Sequence, residues 1–334
     1  MKFCRRFWLV SLILGLGLVS CERRSRTQTP VVESRQVFLL ISHGSHSFEL
    51  GQQSLLTRLV ATDPRYQLQV LDAGSNEETQ LQQWRQAVAE KPLAILIDPL
   101  NPKRLSSQVN GAVSSGVLVI GLGEEAQKME CSTVLFANQK KMGELAGDMV
   151  VQALTKKASS SGLTEVTGRV VEIRGDEESY VSLQRHEGFE AALKAVPGII
   201  LVHDAPGDWS LEGGKGRAMD ALRLQQTFDA VYAHNDLMAL GAAEALVDHR
   251  ADVLIVGTDG FRGKEGGMTL VGDGEIDATL YQPLLVDFAW VLIRKKVEEP
   301  AFNPKPSYEL PLRTIQPKDV DEIRRKGLPA FPEL

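Results

Sequence analysis

The chain of 334 residues is short of cysteine, with three, and short of aromatic side chains, which make up 6% of it against 43% hydrophobic residues in all. Cys4 and Cys21 fall at the extreme N-terminus, so Cys131 stands alone in the body and no intramolecular disulfide can form there. Stability must come from aliphatic layers, and about 300 residues are enough for two domains of ordinary size. Positive charge is also scarce: the net charge is −6, and the body has no run of Lys or Arg. That excludes the basic footprint on which duplex binding depends, so no nucleic-acid partner is expected. The catalytic motifs are missing as well. There is no G-x-S-x-G elbow and no H-E-x-x-H, and beyond His43 and His46 the histidines at 186, 203, 234 and 249 are scattered. No catalysis, cofactor or bound metal is expected. An NAD-type enzyme is the unfavoured alternative, resting on VIGLGEEA, where Gly121, Gly123 and Ala126 imitate a dinucleotide fingerprint. Three strands precede that segment and CSTVLFANQ follows it, which is the wrong setting for a fingerprint.

The N-terminus is informative. Lys2, Arg5 and Arg6 precede the apolar run FWLVSLILGLGLV, which ends just before Ser20 and Cys21. The run is shorter than the ~20 residues a spanning helix needs, and its order is that of a signal peptide over 1–20. Leu18-Val19-Ser20-Cys21 resembles the bacterial lipobox, which implies lipidation at Cys21 and a membrane anchor. Two or more acyl chains hold a protein stably where one does so only marginally. Residues 21–35 are polar, contain Pro30 and have no apolar period, as expected of a flexible tether.

The body alternates strands and helices. VFLLIS (37–42), QLQVLD (67–72), LAILI (93–97) and VLVIG (117–121) are aliphatic strands separated by helix-period stretches. Ser75 and Glu78 have capping-box spacing before the second helix. After a helix over about 138–155 the rhythm resumes with GRVVEI, GIILVH, DAVYA and DVLIVG. Such strands predict an α/β fold of parallel sheets covered on both faces, with ligands beyond the carboxyl ends of the strands. The Ser/Gly-rich segment 158–168 has the composition of a domain boundary but is read here as a surface loop.

AHNDLMALGAAEAL (233–246) resembles the ligand-contacting strand-to-helix turn of periplasmic sugar-binding proteins of the ribose-binding type. RHEGFEAAL, VGTDG, IDATLYQP, NQKKMGELAGD and ILIDPLNP follow that family's order and spacing from about Val37 to Ile315. The resemblance implies a type I periplasmic binding protein fold, two Rossmann-like lobes joined by three crossover strands. The lobes would be 36–137 plus 283–311 and 138–282 plus 312–334. It further implies a monomer that closes on a small sugar or polyol. Its partner would be the membrane permease of an ABC transporter or, alternatively, a sensor kinase or receptor.

By the same resemblance Asn235, Asp259 and Gln282 contact ligand hydroxyls, Trp209 and Phe48 stack on the sugar, and Arg185, His46 and Asp98 supply polar contacts. The chemistry fits, because hydroxyls both donate and accept while C–H faces need an aromatic plane. Asp236 is assigned to capping the helix after Asn235. Plainer roles stay open: Trp209 covering a helix end, Arg185 paired with Glu187 or Glu190, Asp98 as a turn former before Pro99. One departure matters. Where ribose-type proteins place an Asp-Arg pair after the fourth strand, this chain has Gly123-Glu124. Asp98, Glu124 and Asp259 against Arg185 then predict a net acidic pocket, suited to an amino sugar, another cation or a polyol.

Overall fold

In β1 (Arg35–Ile41) Val37, Leu39 and Ile41 alternate with Phe38 and Leu40, and both sets are buried. A strand buried on both faces belongs in a sheet with helices on either side, and the computed structural model, which describes residues 35–225 and 227–327, has two such sheets.

The first half of the chain runs through β1, α1 (Ser47–Val60), β2 (Tyr66–Asp72), α2 (Glu77–Ala89), β3 (Ala94–Ile97), α3 (Pro102–Ser114), β4 (Leu118–Leu122) and β5 (Thr133–Phe136). The second runs through α4 (Gln139–Ser160), β6 (Gly168–Arg174), α5 (Tyr180–Lys194), β7 (Ile199–Pro206), α6 (Leu211–Gln225), β8 (Ala230–Ala233), α7 (Asp236–Ala245), β9 (Leu254–Asp259), α8 (Gly267–Asp273) and β10 (Ala278–Tyr281). The chain then returns with α9 (Leu285–Glu298), β11 (Ser307–Glu309), β12 (Arg313–Ile315) and α10 (Pro317–Lys326).

The sheet orders are β2-β1-β3-β4-β5-β11 and β7-β6-β8-β9-β10-β12. Every pairing is parallel except that of β12 with β10. The chain passes between the sheets three times: after β5, after β10, and between β11 and β12. This is the type I periplasmic binding protein architecture. Helix α9 packs on α1, β3, β4 and β5, so it covers the first sheet although it follows β10 of the second. Helix α4 packs on α5, β9 and β10, which places the 161–167 loop beside the second sheet.

Local chemistry differs from expectation at two turns. Helix α2 is capped not by Ser75 but by Asn76, whose Oδ1 accepts the Thr79 N–H at 2.8 Å. Ser75 takes a left-handed φ of 59° one residue earlier, where its hydroxyl cannot reach that N–H. After β4, Gly123 (φ 89°) leads into a short 3₁₀ turn, Glu124–Lys128, and then β5. No α-helix N-terminus follows the glycines, so the fingerprint has nothing with which to cradle a pyrophosphate. Among the described residues no helix is long and apolar enough to cross a membrane.

Candidate functional site

Parallel strands deliver the residues that follow them to one edge of a sheet, and here the edges of both sheets face a shared cavity of about 540 Å³. Asp98 follows β3, Glu124 lies beyond β4, Asn235 follows β8, Asp259 ends β9 and Gln282 follows β10. His46 and Phe48 come from the entry to α1, Arg185 from α5, and Trp209 from the turn before α6. All nine line this cavity. Cys21 lies outside the described residues.

Arg185 organises the wall formed by the second sheet. It is 2% exposed and does not pair with the acids of its own helix. Glu187 binds Lys140 and Glu190 binds Lys194. The guanidinium donates Nε to Gln139 Oε1 at 2.9 Å, Nη2 to Gln282 Oε1 at 3.0 Å, and Nη1 to the His234 carbonyl. Gln139 Nε2 also donates to Gln282 Oε1, at 2.9 Å, which fixes the amide orientation of both glutamines. The Trp209 ring covers the guanidinium at 5.7 Å. Trp209 itself holds a left-handed φ of 57°, and its indole lies against Gly175, where a Cβ would fall 2.0 Å from the ring. Trp209 also lines the cavity.

The roles of the adjacent pair Asn235 and Asp236 are not those expected. Asn235 is the N-cap of α7: its Oδ1 accepts the Met238 N–H at 2.8 Å and its Nδ2 donates to the Trp209 carbonyl at 2.9 Å. It thus ties the Trp209 turn to α7 while bordering the cavity. Asp236 instead turns inward and accepts from Gly260 N (2.7 Å), Gly267 N (2.9 Å) and Thr279 Oγ1 (2.6 Å). Its carboxylate clamps the loop after β9 to α8 and β10. Its neighbour Asp259 holds a positive φ of 108°, an unusual backbone for a residue with a side chain.

Behind this wall sits a buried acid. Glu172, in the middle of β6, accepts from His234 Nε2 at 2.9 Å and pairs with His186 Nδ1 at 2.7 Å. The Gly175 N–H donates to His234 Nδ1 at 3.2 Å, so the ring's proton is on Nε2. Burial lowers the pKa of His234 and keeps it neutral. Burial opposes the charge of Glu172, but the hydrogen bonds from His186 and His234 prevail and hold it below its ordinary value; the bond to Glu172 raises His186. The ligand atoms of Glu172, His186 and Asp204 lie within 4.8 Å of one another. Both Glu172 oxygens are committed to histidines.

The wall formed by the first sheet is less tied together. Asp98 accepts a hydrogen bond from Ser42 Oγ, and burial raises its pKa against that bond. His46 is the N-cap residue of α1 without a side-chain cap bond, and its ring stacks on His43 at 3.8 Å. Phe48 faces Phe261, from the loop after β9, at 6.1 Å. Glu124 accepts a long 3.4 Å bond from Gln139 N and a hydrogen bond from the Tyr180 side chain; burial raises it. Ser47 Oγ reaches Asp259 Oδ2 across the cavity at 3.4 Å.

Sequence reasoning missed Glu49 and Gln139. Burial, then the nearby Asp98, pushes Glu49 up to about 8. Its place three residues after the α1 cap is an ordinary position for an exposed acid, so nothing in the pattern marked it. Gln139 follows a caplike Asn138 at a crossover, a signal that could have been used.

Known proteins resemble this chain in sequence and in fold. The ribose import binding protein RbsB of Escherichia coli is 29% identical over 218 residues, 65% of this chain and 69% of that protein. A solute-binding protein of an ABC transporter from Bacillus halodurans, solved with bound myo-inositol, superposes with a TM-score of 0.73 at 19% identity, covering 88% of this chain and 98% of that one. The fructose-binding periplasmic domain of a hybrid two-component system superposes with a TM-score of 0.71 at 22% identity, covering 87% and 93%. The model of the periplasmic binding protein domain matches residues 37–285, and the chain belongs to that family of binding proteins, which are not enzymes.

Proposed function

We propose that this protein is an exported lipoprotein, anchored through Cys21, that encloses a monosaccharide or related polyol between its two lobes and presents it to an ABC transporter. The observation that carries the reading is the cavity itself. Strand ends from both sheets bring to it amides, carboxylates, a guanidinium and an indole, the set that satisfies hydroxyls and a C–H face together. The lobes would close by bending at the three crossovers, and the closed faces would be what a partner recognises. The relatives named for import of sugars support the same direction.

A thermal-shift screen of monosaccharides and polyols tests it, since a ligand that binds only the folded state raises the melting temperature. At least one member should do so; silence across the panel removes the reading. Membrane fractionation tests the anchor: Cys21→Ser should release the protein from membranes, and continued association refutes lipidation there. A sensory role is the second reading, supported by the likeness to the periplasmic domain of a hybrid two-component system. A permease and an ATPase encoded alongside would favour uptake, and a histidine kinase would favour sensing.

A further inference from the structure

We propose that the ligand carries a primary ammonium group on a polyhydroxylated ring, an amino sugar or aminocyclitol, and that Glu49, Asp98 and Asp259 hold that ammonium. The inference rests on the solute-binding reading and adds the charge of the solute. No lysine and a single arginine line the cavity. That arginine, Arg185, has its Nε and both terminal nitrogens bonded to Gln139, His234 and Gln282, so its hydrogen bonds are directed mainly at protein. At the end of β4 stand Gly123 and Glu124, which add an acid and no cation.

The acids, by contrast, are short of partners. Glu49 makes no ion pair and no hydrogen bond to another residue among the described residues. Asp259 is 4% exposed and lines the cavity, and the only hydrogen bond to its carboxyl group among the described residues is the 3.4 Å contact from Ser47 to Oδ2. Asp98 has the Ser42 hydroxyl and no cation. A desolvated carboxylate without a counterion is costly, and clustering makes it more so. Either protons or a cation from the ligand must relieve the cluster. An ammonium offers three donors on one atom where a hydroxyl offers one, so it suits a cavity lined by three carboxyl groups.

The titration behaviour is consistent. Burial first, then Asp98 and Asp259, lifts Glu49 to about 8, with Arg185 opposing; burial lifts Asp259 to about 7, again against Arg185. A bound cation reverses those shifts, so binding near neutral pH should release protons.

Calorimetry with the full mature protein decides the matter. The probes are hexosamines and inosamines beside their parent hexoses and inositols, with N-acetylhexosamines as uncharged controls. The expected result is an amine that binds about 10-fold or more tightly than both its parent and its acetylated form, with a heat that depends on the ionisation enthalpy of the buffer. Glu49→Gln, or Asp98→Asn should the first variant not fold, should weaken the amine about 10-fold more than it weakens the parent, and equal losses for the two overturn the ammonium assignment. Neutral or acetylated rings binding as tightly as the amines overturn the ammonium assignment and leave the solute-binding reading standing. No binding in either class overturns both.

Discussion

The two walls of the cavity are built differently. On the second-sheet side Arg185, Asn235, Asp259 and Gln282 are each at most 5% exposed, and three of the four are cross-linked by hydrogen bonds to protein. On the first-sheet side His46, Phe48, Glu49, Asp98 and Glu124 are all partly exposed and have few protein partners. One wall is held in place before any ligand arrives; the other has donors and acceptors still to satisfy. Pre-organised groups lose little freedom on binding, so ligand should engage the second wall first and the first wall should complete the enclosure.

The sharpest way to break this contrast is Arg185→Ala. It strands Gln139, Gln282 and the His234 carbonyl in a buried site, so both stability and affinity should fall, stability by about 3 kcal/mol or more. Denaturant unfolding checks the stability term, and an unchanged midpoint would mean that the wall does not depend on its cation. Asn235→Ala comes next. Losing the cap should cost about 1 kcal/mol of stability, and losing the tether on the Trp209 turn should weaken binding by about 1 to 3 kcal/mol. Calorimetry beside a melting curve separates the two, and equal affinity would remove Asn235 from the site. Phe48→Ala, on the looser wall, should weaken binding by about 1 kcal/mol with a smaller effect on melting than Asn235→Ala, the reverse of a core truncation. A melting loss larger than the binding loss would show that the first wall is as structural as the second.

The smallest effect should come from His186→Gln, read as a function of pH. His186 is raised in the folded state, so its contribution is fully present below its ordinary 6.5 and fades as pH rises through the higher folded value. Glu172 is depressed, so its share is present above its ordinary 4.5 and is lost as pH falls through the lower folded value. The substitution should therefore lower the melting temperature more at about pH 5.5 than at about pH 8.5. Equal losses at both would leave the Glu172 pair without a charge-dependent role.

The strand-helix rhythm was legible in the residues alone, because strands buried on both faces must be aliphatic throughout and helices must show a stripe. The resemblance to ribose-type binding proteins also marked nine residues of the cavity, of which Asp98, Asn235, Asp259 and Gln282 stand at or just past the carboxyl ends of parallel strands. The sequence did not separate Asn235 from Asp236, two adjacent residues that can each cap a helix. Their roles were decided by Gly260, Gly267 and Thr279, which lie 24, 31 and 43 residues away and meet Asp236 only through the order of β8, β9 and β10. The partners of Arg185, at 139, 234 and 282, converge from α4 and from the ends of β8 and β10. Glu49 gives the same lesson. A helix-entry acid is ordinary until the fold sets it beside Asp98 and Asp259, because hydrogen bonds and desolvation act over ångströms in space, whatever the separation along the chain.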